Sequence, residues 1–211
     1  MTLSQRNLAA IIVVTAWFAI VAQFCVGINS ASVSPVVSTI RFFSYFTIQT
    51  NLMVAISTTC LWMFPQKCVG VFFGKSSTLT AITLYILIVG LVYNVALRFL
   101  WQPQGFARFT DELLHSVIPL LVLFYWWRSP EKEMLRWKYI LGWLIYPLIY
   151  LLYTLAHGAI TGFYPYPFVD VNALGITMVL VNCGIIALVF LLLGMLLIWL
   201  GKRFSRKRKN V

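Results

Sequence analysis

Long apolar runs alternate with short polar connections along the whole chain. Most runs approach the ~20 apolar residues that an α-helix needs to cross a bilayer. They are continuously apolar, whereas the strands of a membrane barrel are shorter and alternate between apolar and polar positions. The pattern therefore predicts an all-α protein with six transmembrane helices, at roughly 8–28, 41–64, 78–100, 112–127, 139–157 and 172–200.

The connections between the runs are rich in residues that favour turns. Asn, Ser and Pro occupy much of 29–35, and Pro and Gly recur at 102–105 and 162–168. Such residues end helices and begin loops. No internal repeat and no long polar segment interrupts the pattern. We therefore expect a single transmembrane domain at 1–201, followed by a basic cytosolic tail at 202–211.

The composition excludes an ordinary soluble domain. Hydrophobic residues make up 61% of the chain and charged residues 10%, with a mean hydropathy of +0.89, whereas about a quarter of an average soluble domain is charged. The net charge of +11 would suggest nucleic acid in a soluble protein. Here the basic residues lie in the connections and the tail, which indicates an anionic lipid surface. We expect membrane lipids as partners and no nucleic acid, and the pattern predicts no particular oligomeric state.

The distribution of Lys and Arg predicts the orientation of the chain in the membrane. If the N-terminus is cytosolic, thirteen Lys and Arg residues fall on the inner side and three on the outer side. The three outer residues are Arg41, Arg98 and Arg108. Because inner connections carry the excess of basic residues, both termini are predicted to be cytosolic. We expect a multi-pass protein of the cell membrane, which in a bacterium is the inner membrane.

Polar side chains gather at the helix ends that this orientation places at the outer leaflet. They are Ser44, Thr47, Thr50, Asn51, Asn94, Arg98, Asp111, Glu112, His115 and His157. Polar groups at membrane depth are costly and normally face the bundle interior or a wet cavity. We therefore expect one polar pocket that opens toward the outer leaflet and contains both histidines.

Several of these residue types suit nucleophilic catalysis. A hydroxyl nucleophile needs a base, and the base needs an orienting group. Thr47 or Thr50 is a candidate nucleophile and His115 a candidate base. Asp111 and Glu112 precede His115 by four and three residues, so either carboxylate can reach the imidazole on a helix.

Other functions use the same residue types. Transport of a solute or proton relies on intramembrane polar groups, although no broken Gly/Pro helix pair is visible. A metal site is disfavoured because no His-rich ligand signature occurs. Hydroxyls and amides such as Ser44 and Asn94 also serve as plain interhelical hydrogen bonds. A non-enzymatic ligand-binding or structural membrane protein therefore stays open.

Three segments carry a resemblance to a known family. They are Arg-Phe-Phe-Ser-Tyr-Phe-Thr at 41–47, His115 followed by Pro119, and Thr-Gly at 161–162 with Tyr-Pro-Phe at 166–168 and Asp170. Together they resemble uncharacterised bacterial six-helix membrane proteins. More remotely, the chain is similar to the androgen-induced-gene family of membrane hydrolases, which act on fatty acid esters of hydroxy fatty acids. The order and spacing of the segments agree along nearly the whole chain.

The resemblance implies a threonine hydrolase that acts on a lipid-like ester without a cofactor or metal. Carried over to this sequence, the catalytic pair is Thr47 and His115. Ser44 occupies the nucleophile position in a gapless alignment, and Thr50 lies one turn beyond. The supporting or substrate-binding candidates are Ser44, Thr50, Asn51, Asn94, Arg98, Asp111, Glu112 and His157.

Overall fold

The protein is helical throughout the part of the chain that the structure describes. A computed structural model describes residues 2–130 and 132–209, with side chains as far as residue 204. Helix accounts for 84%, and the described residues contain no strand, so the predicted all-α class is confirmed. Five helices are long and apolar enough to cross a membrane, and a sixth is obtained if one sharply bent pair counts as a single span.

Ten α-helical segments occur among the described residues. They are α1 Leu3–Asn29, α2 Pro35–Ser44, α3 Phe46–Met63, α4 Cys68–Gly74, α5 Ser76–Val92, α6 Gly105–Glu112, α7 Ile118–Arg128, α8 Tyr139–Trp143, α9 Ile145–Thr161 and α10 Val171–Lys209. A π-helical turn, Tyr93–Leu97, extends α5, and a second, Leu113–Val117, joins α6 to α7. Short 3-10 turns lie at Lys132–Met134 and Pro167–Val169.

The second predicted helix is broken. The sequence predicts one helix at 41–64, but Tyr45 has extended backbone (φ −76°, ψ 130°) and separates α2 from α3. Side chains from elsewhere satisfy the first N–H groups of α3, which a helix start leaves without partners. The N–H of Phe46 donates to the hydroxyl of Tyr150, and that of Thr47 donates to the hydroxyl of Tyr166.

The boundaries of the other predicted helices also shift, because an apolar run marks only the hydrophobic part of a helix and the helix continues into polar residues. The predicted run at 112–127 belongs to a helical stretch that begins at Gly105, and the run at 139–157 extends to Thr161. The helix predicted at 172–200 continues to Lys209, over most of the expected tail. Residues 210–211 lie outside the described residues.

The helices are more irregular than expected. Gly175 has φ +73° inside α10, a conformation that interrupts the helix there. With the break at Tyr45, this gives two interrupted helices, whereas the sequence showed no broken Gly/Pro helix pair. One argument against transport is thereby removed.

Packing places α5 at the centre of the bundle. Within its most apolar window, 67% of α5 is buried, against 17% for the span that contains α9. Helix α1 packs along α3 and α7, and α5 packs against α3, α7 and α10. Tyrosines fasten α9 to the rest: Tyr150 donates to the carbonyl of Ser44 (2.9 Å). This arrangement leaves much of the apolar surface of α9 and α10 exposed, as expected of helices that face lipid.

Candidate active site

A cavity of about 650 Å³ lies at one end of the bundle. Its walls come from the end of α1, from α2, from the start of α3, from the two π turns and from the loop after α9. We call it the polar cavity, because its lining includes Arg41, Thr47, Asp111, His115 and Tyr166. Thr47 and His115, the residues predicted as nucleophile and base, therefore both line this cavity.

The imidazole of His115 is held by Asp111. Nδ1 of His115 lies 3.1 Å from Oδ1 of Asp111 and 2.9 Å from the backbone oxygen of the same residue. Tyr93 donates its hydroxyl to the other carboxylate oxygen, and its ring stacks on the imidazole at 3.9 Å between centroids. Because the carboxylate and the backbone oxygen of Asp111 are both hydrogen-bond acceptors, the proton of a neutral imidazole belongs on Nδ1. Nε2 then carries the free lone pair. Nε2 is then the basic nitrogen, as in a catalytic triad.

Glu112, the alternative orienting group, is engaged elsewhere. Its carboxylate forms two contacts of 2.7 Å with the guanidinium of Arg98 and accepts the hydroxyl of Ser116 at 2.8 Å. Arg98 also donates from Nε to the side-chain oxygen of Asn94 (2.9 Å). The structure thus separates two adjacent acids into two roles, with Asp111 on the imidazole and Glu112 on a neighbouring ion pair.

Pro119 accounts for the π-helical turn that carries His115. Proline has no N–H, so the carbonyl of His115 lacks its α-helical donor. The N–H of Ile118 goes to Leu113, which also leaves the carbonyl of Leu114 without its α-helical donor. The side-chain amide of Asn94 donates to the His115 carbonyl (3.3 Å), and that of Asn51 to the Leu114 carbonyl (3.4 Å).

These two amides are therefore structural partners of the turn. Asn51 also donates to the carbonyl of Thr47 at 2.8 Å. A single side chain thereby ties the first turn of α3 to the turn that carries His115. π-Helical turns frequently occur at functional sites.

Thr47 sits at the boundary of the polar cavity, 8% exposed. Its hydroxyl lies 3.2 Å from the hydroxyl of Tyr166, which also accepts the N–H of Thr47 at 3.1 Å. Burial raises the pKa of Tyr166 to about 12, against an opposing effect of its two hydrogen bonds with Thr47. The phenol is therefore protonated near neutral pH and can donate to the threonine oxygen.

The competing nucleophile candidates are placed differently. Ser44 and Thr50 are fully buried, and neither belongs to the lining of the polar cavity. The Ser44 hydroxyl bonds to the carbonyl of Ile40 (2.8 Å) and to the hydroxyl of Tyr153 (2.7 Å). The contacts of Ser44 are typical of helix packing, whereas the buried hydroxyl oxygen of Thr50 has no hydrogen-bond partner.

The structure does not bring His157 into the polar cavity. Its ring stacks against Tyr153 and meets the edge of Phe163, with centroids 5.6 Å and 6.1 Å apart. Phe163 itself lines the polar cavity, so the Phe163 ring separates the imidazole of His157 from that cavity. Nδ1 of His157 is buried without a hydrogen-bond partner. The expectation that both histidines share one pocket is not met.

Sequence reasoning missed Tyr93 and Tyr166 as functional side chains. Aromatic residues near the ends of apolar helices usually belong to an interfacial belt. From the sequence alone, a tyrosine in such a position therefore indicates no catalytic or binding role. The signal for Tyr166 was its place in a segment that carries the family resemblance. For Tyr93 the sequence holds no comparable signal, because its partner Asp111 lies on another helix.

A second cavity, of about 370 Å³, lies between α5, α9 and α10. We call it the apolar cavity, since aliphatic and aromatic side chains dominate its lining. It shares four lining residues with the polar cavity: Thr47, Tyr93, Leu97 and Tyr166. Leu141, Ile145 and Leu148, which also line it, are 55–72% exposed. The apolar cavity therefore opens toward the side of the bundle.

Among the described residues, no group of three His, Cys, Asp or Glu side chains is placed to hold a metal ion. Comparisons with protein-family models, with curated proteins and with solved structures gave no match to this chain. The interpretation of the site therefore depends on its own geometry.

Proposed function

We propose that this protein is a membrane-embedded hydrolase of a lipid-like ester, with Thr47 as nucleophile, His115 as base and Asp111 as the group that orients His115. The observation that carries the proposal is the Asp111–His115 pair, because His115 lines the same cavity as Thr47. The resemblance to a family of threonine hydrolases supports the same pair of residues.

The proposed reaction has two steps. The Thr47 oxygen attacks the ester carbonyl while its proton passes to Nε2 of His115, and the alcohol leaves with that proton, which forms an acyl-threonine. A water molecule then gives a proton to the same nitrogen and attacks the acyl group, which releases the carboxylic acid and restores Thr47. In the second step Asp111 again stabilises the protonated imidazole.

Tyr166 prepares the nucleophile in this scheme. When its hydroxyl donates to the Thr47 oxygen, the hydrogen of Thr47 is free to be donated to His115. The apolar cavity shares Thr47 in its wall, which suits a hydrocarbon chain attached to the ester. Because that cavity opens sideways, the substrate would arrive from the membrane.

The membrane setting is part of the proposal. Six spans with both termini in the cytosol are supported by the number of long apolar helices, if the bent pair Phe46–Met63 and Cys68–Gly74 forms one span. The distribution of Lys and Arg supports the orientation. The polar cavity then lies at the outer leaflet of the cell membrane.

Covalent labelling tests the catalytic pair. Purified protein in detergent is treated with a fluorophosphonate probe, which reacts with activated hydroxyls. We expect wild type and Thr50→Ala to be labelled, and Thr47→Ala and His115→Ala to lose labelling. Thr50→Ala is the matched control, because Thr50 is one turn away and lines neither cavity. Unlabelled but folded wild type, or labelled Thr47→Ala, would reject the assignment.

A second candidate function is transport of a small solute. The broken helices around the polar cavity favour it, because transporters bind substrate at interrupted helices. Residues at the break at Tyr45 and in the two irregular π turns contribute to the lining. Uptake into proteoliposomes that requires an ion gradient and survives Thr47→Ala would favour this candidate over the hydrolase.

A further inference from the structure

Tyr93 makes two separate contacts with the Asp111–His115 pair. Its hydroxyl donates to Oδ2 of Asp111, while Oδ1 of the same carboxylate lies 3.1 Å from Nδ1 of His115. Its ring stacks on the imidazole, with 3.9 Å between the centroids and 15° between the planes. Tyr93 is buried and lines both cavities. A single side chain from the end of α5 therefore touches both members of a pair that lies on another helical stretch.

The two contacts have different physical effects. Asp111 is buried, and a buried carboxylate needs hydrogen-bond donors to stay ionised. The hydroxyl of Tyr93 supplies one donor and also fixes the rotation of the carboxylate, so that Oδ1 stays directed at Nδ1. The stacked ring restricts the plane of the imidazole. Because the face of an aromatic ring attracts a cation, the same stack also stabilises the imidazolium that forms when His115 accepts a proton.

The position of Tyr93 depends on the close approach of α5 at Gly90, three residues earlier. A Cβ at Gly90 would lie 2.9 Å from the backbone oxygen of His115, so a larger residue would hold the two helices apart. Tyr85, on the same helix, serves as a comparison. Its hydroxyl donates to the backbone carbonyl of Trp143 (2.7 Å), a contact that fastens two helices. The Tyr93 hydroxyl instead has the carboxylate beside the proposed base as its partner.

We propose that Tyr93 is a positioning residue that acts through Asp111 and His115. Its hydroxyl holds the carboxylate and its ring holds the plane of the imidazole, so that Nε2 keeps one orientation during proton transfer. This inference rests on the proposed function and deepens it, because it adds the group that orders the base and its acid.

Steady-state hydrolysis of p-nitrophenyl dodecanoate by the full chain in detergent tests the role of Tyr93. Tyr93→Phe keeps the ring and loses the hydroxyl, and we expect it to lower kcat about tenfold with little change in KM. Tyr93→Leu loses both contacts and should lower kcat by about 100-fold. Tyr85→Phe is the matched control and should keep kcat, because it removes a buried hydroxyl from the same helix but lines neither cavity.

A double-mutant cycle distinguishes positioning from a general structural role. If Tyr93 acts through the carboxylate, its hydroxyl has little left to act on once Asp111 is replaced. In an Asp111→Asn background, Tyr93→Phe should therefore lower kcat by less than about twofold. A residue that only stabilises the fold would lower kcat by the same factor in both backgrounds, and that result would overturn the proposal.

Nitrogen-15 NMR of the histidine rings measures the ordering of the imidazole without any turnover. The chain has two histidines, and His157→Gln identifies the signals of His115. With the imidazole neutral, we expect wild type to show a single tautomer with the proton on Nδ1. Tyr93→Phe should keep most of this signature, whereas Tyr93→Leu should show shifts averaged between two tautomers. Tyr85→Phe should match wild type.

The possible outcomes separate this proposal from the hydrolase itself. Active wild type with unchanged kcat in Tyr93→Phe, or with the same loss in Tyr85→Phe, would reject the role of Tyr93 and leave the hydrolase standing. Inactive wild type, combined with tautomer averaging in Tyr93→Leu, would retain the ordering of His115 by Tyr93 and reject the hydrolase. An unchanged single tautomer in Tyr93→Leu would contradict that ordering. If Tyr93→Leu does not fold, Tyr93→Met replaces it with the same expectations.

Discussion

Asp111 and Glu112 show how two adjacent side chains of the same charge acquire different roles. Both lie within helical reach of His115, but Asp111 contacts the imidazole while Glu112 pairs with Arg98. Asp111 is buried, and its two oxygens are held by His115 and Tyr93. The Arg98–Glu112 pair is partly exposed, at 34% and 31% of the side chains. Loss of Asp111 should therefore affect the imidazole directly.

Asp111→Asn is predicted to lower kcat for ester hydrolysis by about 100-fold or more, with little change in KM. An amide cannot stabilise the protonated imidazole, and it can favour the wrong tautomer of His115. Glu112→Gln is the matched control. Because Glu112 pairs with Arg98 in a partly exposed ion pair and not with the imidazole, that variant should lose much less activity. Steady-state kinetics of both variants measures the difference, and similar losses would contradict the assigned role of Asp111.

At the residue scale, the sequence identifies candidate site residues, but it does not show which side chains they contact. Helical spacing correctly places Asp111 within reach of His115, because both lie on one continuous helical stretch. Spacing cannot choose between Asp111 and Glu112, since the choice depends on Tyr93 and Arg98 from another part of the chain. The same limit explains His157, whose distance from the polar cavity depends on the path of the loop after α9.

At the scale of elements, Gly90 governs how closely α5 approaches the His115 turn. A Cβ at this position would lie 2.9 Å from the backbone oxygen of His115 and 3.3 Å from the ring of Pro119. The close approach allows Asn94, one turn further along, to reach the same oxygen. Glycine therefore lets the two π turns meet.

Gly90→Ala is predicted to destabilise the protein by about 1–3 kcal/mol, because the added methyl overpacks this contact. It should also lower activity, since the turn that carries His115 must move. Gly184→Ala is the control: it lies inside α10, and nothing lies within 4 Å of its added Cβ. Thermal unfolding in detergent compares the two variants. An unchanged melting temperature and full activity in Gly90→Ala would contradict the close approach.

Hydropathy predicts where helices exist but not where they break. The six apolar runs all contain helix, because a continuous apolar stretch at membrane depth must satisfy its backbone internally. The break at Tyr45 has another origin, since hydroxyls of Tyr150 and Tyr166 replace the missing helical partners. Pro119 in the sequence shows that the carbonyl of His115 loses its helical donor. The donor that replaces it, the side-chain amide of Asn94, lies on another helix and is visible only in the structure.

At the scale of the whole molecule, the chain has a polar and a basic end. The polar cavity and its engaged acids lie at one end, while the connection after α3 and the Lys132–Met134 turn lie at the other, near the basic end of α10. Membrane proteins commonly carry their excess of Lys and Arg on the cytosolic side, which matches a basic end opposite the polar cavity. In the proposed orientation the polar cavity lies at the outer leaflet, so a substrate in that leaflet would reach it without crossing the bilayer.

This orientation predicts opposite accessibility for two exposed glutamines, Gln104 between α5 and α6 and Gln66 between α3 and α4. Each is replaced by cysteine in a chain whose four native cysteines are replaced by alanine. A membrane-impermeant maleimide should label Gln104→Cys in intact cells. Gln66→Cys should react only after the membrane is permeabilised, because the connection that contains it faces the cytosol if the N-terminus is cytosolic and α1 and α3 each cross once. The reverse pattern would place the polar cavity at the inner leaflet, and equal labelling in intact cells would mean that the segment between the two positions does not cross the membrane.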